Sequence, residues 1–135
     1  MNRARYLAAG LSIGAGIVHG AAAPEHLSEW WGYGMFFLLA ATGQVFYGIL
    51  LFLQPWKFSE TGQIREDTER YTRSYCVLGI AVNAAIVLLY LVSRTFGIPF
   101  LGPEAGQVEP VTMIGLLSTA IEVSLIACLV RFLRL

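Results

Sequence analysis

The chain has 135 residues, enough for one domain, and 56% of them are hydrophobic while only 13% are charged. A soluble domain is nearer half apolar and a quarter charged, so this composition argues against an ordinary soluble fold and is typical of membrane spans joined by short loops. Nine basic residues balance nine acidic ones, and no basic stripe indicates nucleic-acid binding.

The first predicted span covers about residues 6 to 23 and is rich in small residues. Small residues recur every fourth position in two stripes, which are Ala8, Ser12, Gly16 and Gly20 in one and Gly10 and Gly14 in the other. Small residues at this spacing line one helix face and allow another helix to approach closely, which is how helices associate in lipid.

The first segment also fits a different interpretation, a cleaved signal peptide. Its arginine-bearing start, apolar middle and alanine-rich end at residues 21–23 match that pattern. A stripe of small residues has no purpose in a peptide that is removed, which favours the span. Cleavage would leave three spans with the same orientation.

Pro24 is expected to stop the first helix or to kink it. The following residues, 25 to 31, combine acidic side chains with His26 and two adjacent tryptophans. Tryptophan is enriched at membrane interfaces, so this stretch is predicted to form an interfacial turn or short helix at headgroup level.

Three further spans are predicted at about residues 34 to 53, 75 to 92 and 111 to 130. Each is close to the ~20 apolar residues that cross a ~30 Å hydrocarbon core. The sequence therefore predicts an all-α fold, a four-helix transmembrane bundle that forms one domain embedded in the lipid bilayer.

Two loops connect these spans. Residues 54 to 74 carry four basic and four acidic residues, which favours a solvated loop over a short helix from Gln63 to Ser74. Residues 96 to 110 contain three prolines and three glycines, which exclude regular structure through most of the segment. Its apolar residues predict that it packs back onto the helices, and these are Phe96, Ile98, Phe100 and Leu101.

The distribution of basic residues predicts the orientation in the membrane. One side would hold both termini and the polar loop, with eight basic residues, namely Arg3, Arg5, Lys57, Arg65, Arg70, Arg73, Arg131 and Arg134. The other side would hold only Arg94. Because basic loops stay on the cytoplasmic side, both termini are predicted to be cytoplasmic, in an inner (plasma) membrane protein.

Three polar residues fall near the middle of predicted spans: Gln44, Asn83 and Glu122. A carboxylate at mid-bilayer costs about 2.5–3.5 kcal/mol on insertion scales, so Glu122 should face the bundle and have a partner. Gln44 and Asn83 lie at a comparable depth. The group is either a proton-carrying or ligand-binding site, or a hydrogen-bonded link between helices.

His19, His26 and Glu29 form a candidate metal site. On a continuous helix the two histidines would share a face but stand about 10 Å apart, too far for one ion, whereas a break at Pro24 would bring them together. Imidazole with carboxylate suits zinc, iron or copper, although no HExxH motif is present. His19 alone could be an axial ligand of a haem. The alternative is that His26 and the acids are solvated interfacial residues and that His19 makes one hydrogen bond to a neighbouring helix.

Arg94 has two interpretations. It can pair with Glu104 or Glu109 and hold the second loop in place, or it can bind an anionic headgroup or substrate. The acidic character of its side of the protein would repel anions and favours the first interpretation.

Two stretches resemble known proteins: HLSEWWGYGMFF (residues 26–37) and SRTFGIPFLGPEAGQVEP (residues 93–110). They are similar to segments of small prokaryotic integral membrane proteins of about this length. Size and helix number are also similar to those of DoxX-like membrane proteins. The resemblance implies the four-helix fold and the membrane location, and it brings no chemistry.

No nucleophile elbow, phosphate-binding glycine loop or Ser-His-Asp order marks an enzyme. The sequence predicts a non-enzymatic membrane protein with an outward-facing polar site for a divalent metal or small ligand, or an accessory subunit of a homo-oligomer or larger membrane complex. One alternative is a metal- or haem-dependent membrane redox protein. The other is a proton-coupled small-solute carrier that works through Glu122 as an oligomer.

Overall fold

The computed structural model describes residues 2–57 and 65–134, which form four α-helices and one short 3₁₀ turn at Pro55–Lys57. The helices are α1 (Asn2–Glu29), α2 (Trp31–Leu53), α3 (Arg65–Thr95) and α4 (Met113–Arg134). Each is long and apolar enough to cross a membrane. No strand occurs within these two ranges. The prediction of an all-α, four-helix fold is confirmed.

Helix α1 continues through Pro24 to Glu29, so the prediction that Pro24 stops it is wrong. Proline removes one backbone hydrogen bond, and packing on both sides of that position can offset the loss. Ala23 is buried just before it, and the His26 ring stacks on Phe37 just after it, with 4.1 Å between ring centroids. Residues 25–29 therefore form the end of a long helix rather than a separate interfacial element.

Trp30 alone separates α1 from α2 and has extended backbone angles. The two helices meet closely at this turn because Gly34 has no side chain. A Cβ at Gly34 would lie 2.0 Å from Leu27 Cγ, which no larger residue could tolerate without a shift.

Helix α3 begins at Arg65, so the preferred prediction of a loop is wrong for residues 65–74, and the helical alternative is correct there. This first part of the helix has a tertiary partner, since Trp56 Nε1 donates a hydrogen bond to Thr72 Oγ1 at 2.9 Å. Residues 58–64 of the predicted loop lie outside the described residues.

Helix α1 packs against both α2 and α4, and α3 packs against α4. The larger small-residue stripe makes the first of these contacts, as predicted. A Cβ at Gly16 would lie 2.7 Å from the Ala41 carbonyl oxygen of α2, so only glycine permits this approach. Gly10 and Gly14 have nothing within 4 Å, so the second stripe makes no such contact within the described chain.

Helices α2 and α3 are joined by side chains rather than by close backbones. The rings of Tyr47 and Tyr75 stack with centroids 4.4 Å apart, and each hydroxyl donates to the other residue's carbonyl oxygen at 3.0 Å. This pair closes one half of the bundle. The other half, nearer Trp30, contains a cavity.

The α3–α4 loop (residues 96–112) folds back over the cavity end of the bundle. Tyr33 of α2 anchors it, donating a hydrogen bond to the Leu101 carbonyl at 2.8 Å. The prediction that this loop packs onto the helices is confirmed, although Phe96 and Phe100 take no part and are 83% and 78% exposed. The loop is held by hydrogen bonds to its backbone rather than by these two rings.

Candidate functional site

The four helices each contribute buried polar side chains to one cluster. These are His19 from α1, Gln44 from α2, Asn83 from α3, and Ser118 and Glu122 from α4. Glu122 is 1% exposed and His19 is 4% exposed. The structure thus brings the three predicted mid-span residues together and adds His19, which the sequence had grouped with His26 instead.

Gln44 occupies the centre of this cluster. Its Nε2 donates to Asn83 Oδ1 at 3.0 Å and to Glu122 Oε1 at 3.2 Å. Its Oε1 lies 2.8 Å from His19 Nδ1, and its backbone carbonyl accepts a hydrogen bond from Ser12 at 2.7 Å. One side chain therefore links its own helix to the other three.

The backbone fixes the direction of these hydrogen bonds. Asn83 Nδ2 donates to the Gly79 carbonyl at 2.8 Å, so its oxygen must face Gln44. Gln44 consequently presents its nitrogen to Asn83 and its oxygen to His19. The Ala15 carbonyl, 3.1 Å from the same Nδ1, also needs a donor. Both neighbours are acceptors, so they assign a proton to His19 Nδ1.

His19 Nε2 faces α4. It lies 3.5 Å from Glu122 Oε1 and 3.4 Å from Ser118 Oγ. A charge-assisted hydrogen bond between an imidazolium and a carboxylate is shorter, about 2.7–2.9 Å, so this is not a closed ion pair. Glu122 meets both Gln44 and His19 through Oε1. Its second oxygen, Oε2, takes part in neither contact.

A cavity of about 470 Å³ lies directly above this cluster. Ser118, His19 and Glu122 form its floor, and Arg94 and Glu109 lie at its mouth. The walls between them are mostly apolar, with six aromatic side chains, which are Trp30, Trp31, Tyr33, Phe36, Phe37 and Tyr90. Ligand pockets in proteins measure about 300–1,000 Å³ and combine apolar walls with a few polar groups, as this cavity does.

Arg94 joins the α3–α4 loop to α3 at the mouth. Its Nη1 lies 2.7 Å from Glu109 Oε2 and donates to Ser93 Oγ at 2.7 Å. Its guanidinium lies over the Tyr90 ring, 4.7 Å from the centroid. The pairing predicted for this arginine is therefore formed with Glu109. A role for Arg94 in ligand binding stays a prediction.

The candidate metal ligands fall into two groups. His26 Nδ1 lies 3.0 Å from Glu29 Oε2, whereas His19 belongs to the buried cluster. The Phe37 ring contacts both imidazoles, and the break at Pro24 that would have gathered them does not occur. Within residues 2–57 and 65–134, no three histidine, cysteine, aspartate or glutamate side chains are placed to hold one ion. The metal and haem sites stay predictions.

The alternative prediction, that His19 bonds to a neighbouring helix, is confirmed by its contact with Gln44. The sequence did not name Gln44 as the partner, although a signal for this pairing exists. His19 lies 11 residues before Trp30 and Gln44 lies 14 residues after it. In a tight helical hairpin that turns at Trp30, these positions differ in depth by about 4.5 Å. The turn itself could not be located from the sequence, because Pro24 was the more obvious place for a helix to end.

No protein-family model, curated protein or solved structure matches this chain. The resemblance to DoxX-like proteins therefore stays a prediction. The function must be argued from the buried cluster and the cavity.

Proposed function

We propose that this chain is a multi-pass inner-membrane protein that binds a small, lipid-soluble molecule in the cavity. The observation that carries this proposal is the cavity itself, about 470 Å³ in volume, with aromatic and aliphatic walls and a polar floor. A packed bundle of this size would ordinarily leave few voids larger than a water molecule. Apolar walls favour an apolar guest, and the polar floor would orient it.

The route of entry favours a guest that comes from the membrane. Helices α2 and α3 both line the cavity, yet their backbones do not pack against each other as closely as the other neighbouring pairs do. The α3–α4 loop covers the aqueous end through the contacts of Tyr33 and Arg94. A molecule dissolved in lipid would therefore enter between these two helices.

The proposed orientation places the cavity in the outer half of the membrane. Eight of the nine basic residues lie near the two termini or in the polar segment that follows α2, and these parts of the chain are at the end opposite the α3–α4 loop. Such residues stay in the cytoplasm. Reporter fusions at Gly62 and Gly106 test this arrangement. Gly62 lies outside the described residues, but it follows α2 in the chain. A reporter that is active outside the cell at Gly62 would contradict the orientation.

Photolabelling tests ligand binding. A dodecanol that carries a diazirine should label the purified protein in lipid nanodiscs, and the labelled peptides should come from the cavity walls, such as Phe36, Phe37 and Tyr90. Ser118→Leu fills the floor with apolar volume and should reduce this labelling about tenfold.

Ser124→Leu is the matched control. It makes the same change on the same helix, but Ser124 is exposed on the outer surface of the bundle and bonds only to the Ala120 carbonyl. Labelling should be unchanged in this variant. If the probe labelled only the outer surfaces of the helices, or if both variants were labelled equally, the proposed binding site would be wrong.

A further inference from the structure

We infer that the ligand of this cavity is a hydrophobic cation and that Glu122 is its counter-charge. The inference rests on the proposed function, because it concerns the chemical class of the molecule that the cavity binds.

The formal charges that line the cavity do not balance. Arg94, Glu109 and Glu122 carry the formal charges among its lining residues when the two lining histidines, His19 and His26, are counted as neutral. Arg94 and Glu109 lie 2.7 Å apart and neutralise each other. Glu122 is left as the single carboxylate at the floor. An anionic guest would be repelled by it, whereas a cationic guest would supply the opposite charge that a buried carboxylate requires.

The described contacts of Glu122 involve only one of its two carboxyl oxygens. Gln44 donates a hydrogen bond to Oε1 of Glu122. His19 does not close an ion pair with Glu122, because its Nε2 is 3.5 Å from Oε1. No other titratable side chain faces Glu122 from the described helices, because α2 contributes Gln44 and α3 contributes Asn83. The remaining oxygen, Oε2, is the atom that would meet the guest.

The walls provide the second half of the recognition. A cation is attracted to the face of an aromatic ring within about 6 Å of its centroid, and most strongly where water is excluded. Six aromatic side chains line this cavity, and one of them, Tyr90, already holds the Arg94 guanidinium at 4.7 Å. Bulky organic cations with dispersed charge match such a surface, whereas a small hydrated ion would lose its water shell against it.

The surroundings of the mouth would attract the same class of molecule. The end of the bundle that holds the cavity carries four glutamates, namely Glu25, Glu29, Glu104 and Glu109. Among the described residues, Arg94 is the one lysine or arginine at the cavity end of the bundle. A surface of one sign raises the local concentration of molecules of the opposite sign.

Binding of radiolabelled tetraphenylphosphonium to the purified protein tests the inference. Tetraphenylborate has nearly the same size and shape with the opposite charge and is the matched ligand control. The native protein should bind the cation at least tenfold more tightly than the anion. This comparison needs no substitution, so it does not depend on whether a variant folds.

Substitutions at the floor then assign the preference to one residue. Glu122→Gln keeps the shape and a hydrogen-bonding oxygen for Gln44, and it should lower the preference for tetraphenylphosphonium over tetraphenylborate at least tenfold. Glu122→Asp keeps the charge and should retain part of the cation binding. Ser118→Leu should reduce the binding of both probes about tenfold.

The outcomes separate the two proposals. If the alcohol labels the cavity but the cation binds no better than the anion, or binds equally well to Glu122→Gln, the inference is wrong and the proposed function stands. If neither probe reaches the cavity, the proposed function fails and the inference fails with it. Selective cation binding that is lost in Glu122→Gln supports both.

Discussion

Replacing Gln44 by leucine is the sharpest test of what holds the bundle together. The substitution removes three hydrogen bonds, which run to His19, Asn83 and Glu122. Leucine is of similar size and apolar, so the packing cost is small. At the average of about 0.6 kcal/mol for a hydrogen bond between membrane helices, these three contribute about 2 kcal/mol. The acceptors left buried without a donor raise the expected loss toward about 4 kcal/mol.

The free energy of unfolding can be measured in mixed micelles of dodecylmaltoside and sodium dodecyl sulfate, with tryptophan fluorescence as the signal. Gln107→Leu is the matched control, because it makes the same chemical change at an exposed position in the α3–α4 loop. Its effect should stay within about 0.5 kcal/mol, as for most surface substitutions.

A double-mutant cycle assigns the loss to particular bonds. Asn83→Leu alone should destabilise the protein, and it should cost less when Gln44 is already leucine, because the bond between the two side chains has been removed. A loss below about 0.6 kcal/mol for Gln44→Leu, the value of one such bond, would refute the reasoning that this side chain links four helices.

Three further substitutions have expected effects. Gly16→Leu should destabilise the protein by about 1–3 kcal/mol, because its new Cβ would lie 2.7 Å from a backbone oxygen of α2. The control is Gly10→Leu, whose Cβ would meet nothing within 4 Å and whose effect should stay within about 0.5 kcal/mol. Equal losses in the two variants would contradict the assigned helix contact. Glu109→Gln removes the charged partner of Arg94 and should raise amide hydrogen exchange several-fold in the α3–α4 loop, with no change in the helices. Tyr47→Phe removes one hydrogen bond between α2 and α3 and should cost about 1 kcal/mol in the same unfolding assay; no loss would show that this bond contributes nothing to the stability of the pair.

The elements that the sequence predicted well are the four long apolar helices. An apolar run of about 20 residues can satisfy its backbone in lipid only as a helix, so the four spans follow from composition. The same solvent penalises polar side chains, which is why Gln44, Asn83 and Glu122 had to face one another. Close packing at Gly16 follows from the spacing of small residues along α1.

The errors occur where tertiary contacts decide the local structure. Residues 65–74 carry a polar, charge-balanced sequence that is compatible with either loop or helix. Trp56 donates to Thr72 in the structure, and this contact between distant parts of the chain favours the helix. Pro24 is a helix-breaking residue, and α1 continues through it because packing on both sides retains the helix.

His19 shows most clearly why the site could not be assembled from the sequence. The residues nearest to it in the chain that could share a metal ion are His26 and Glu29, so the sequence suggested a metal site. Seven residues on a continuous helix amount to about 10 Å along its axis, whereas a residue 99 positions away can lie at the same depth. Ser118 is such a residue, and it adjoins His19 because α1 packs between α2 and α4. That arrangement places His19 beside Glu122, away from His26 and Glu29, and both side chains lie at the floor of the aromatic cavity.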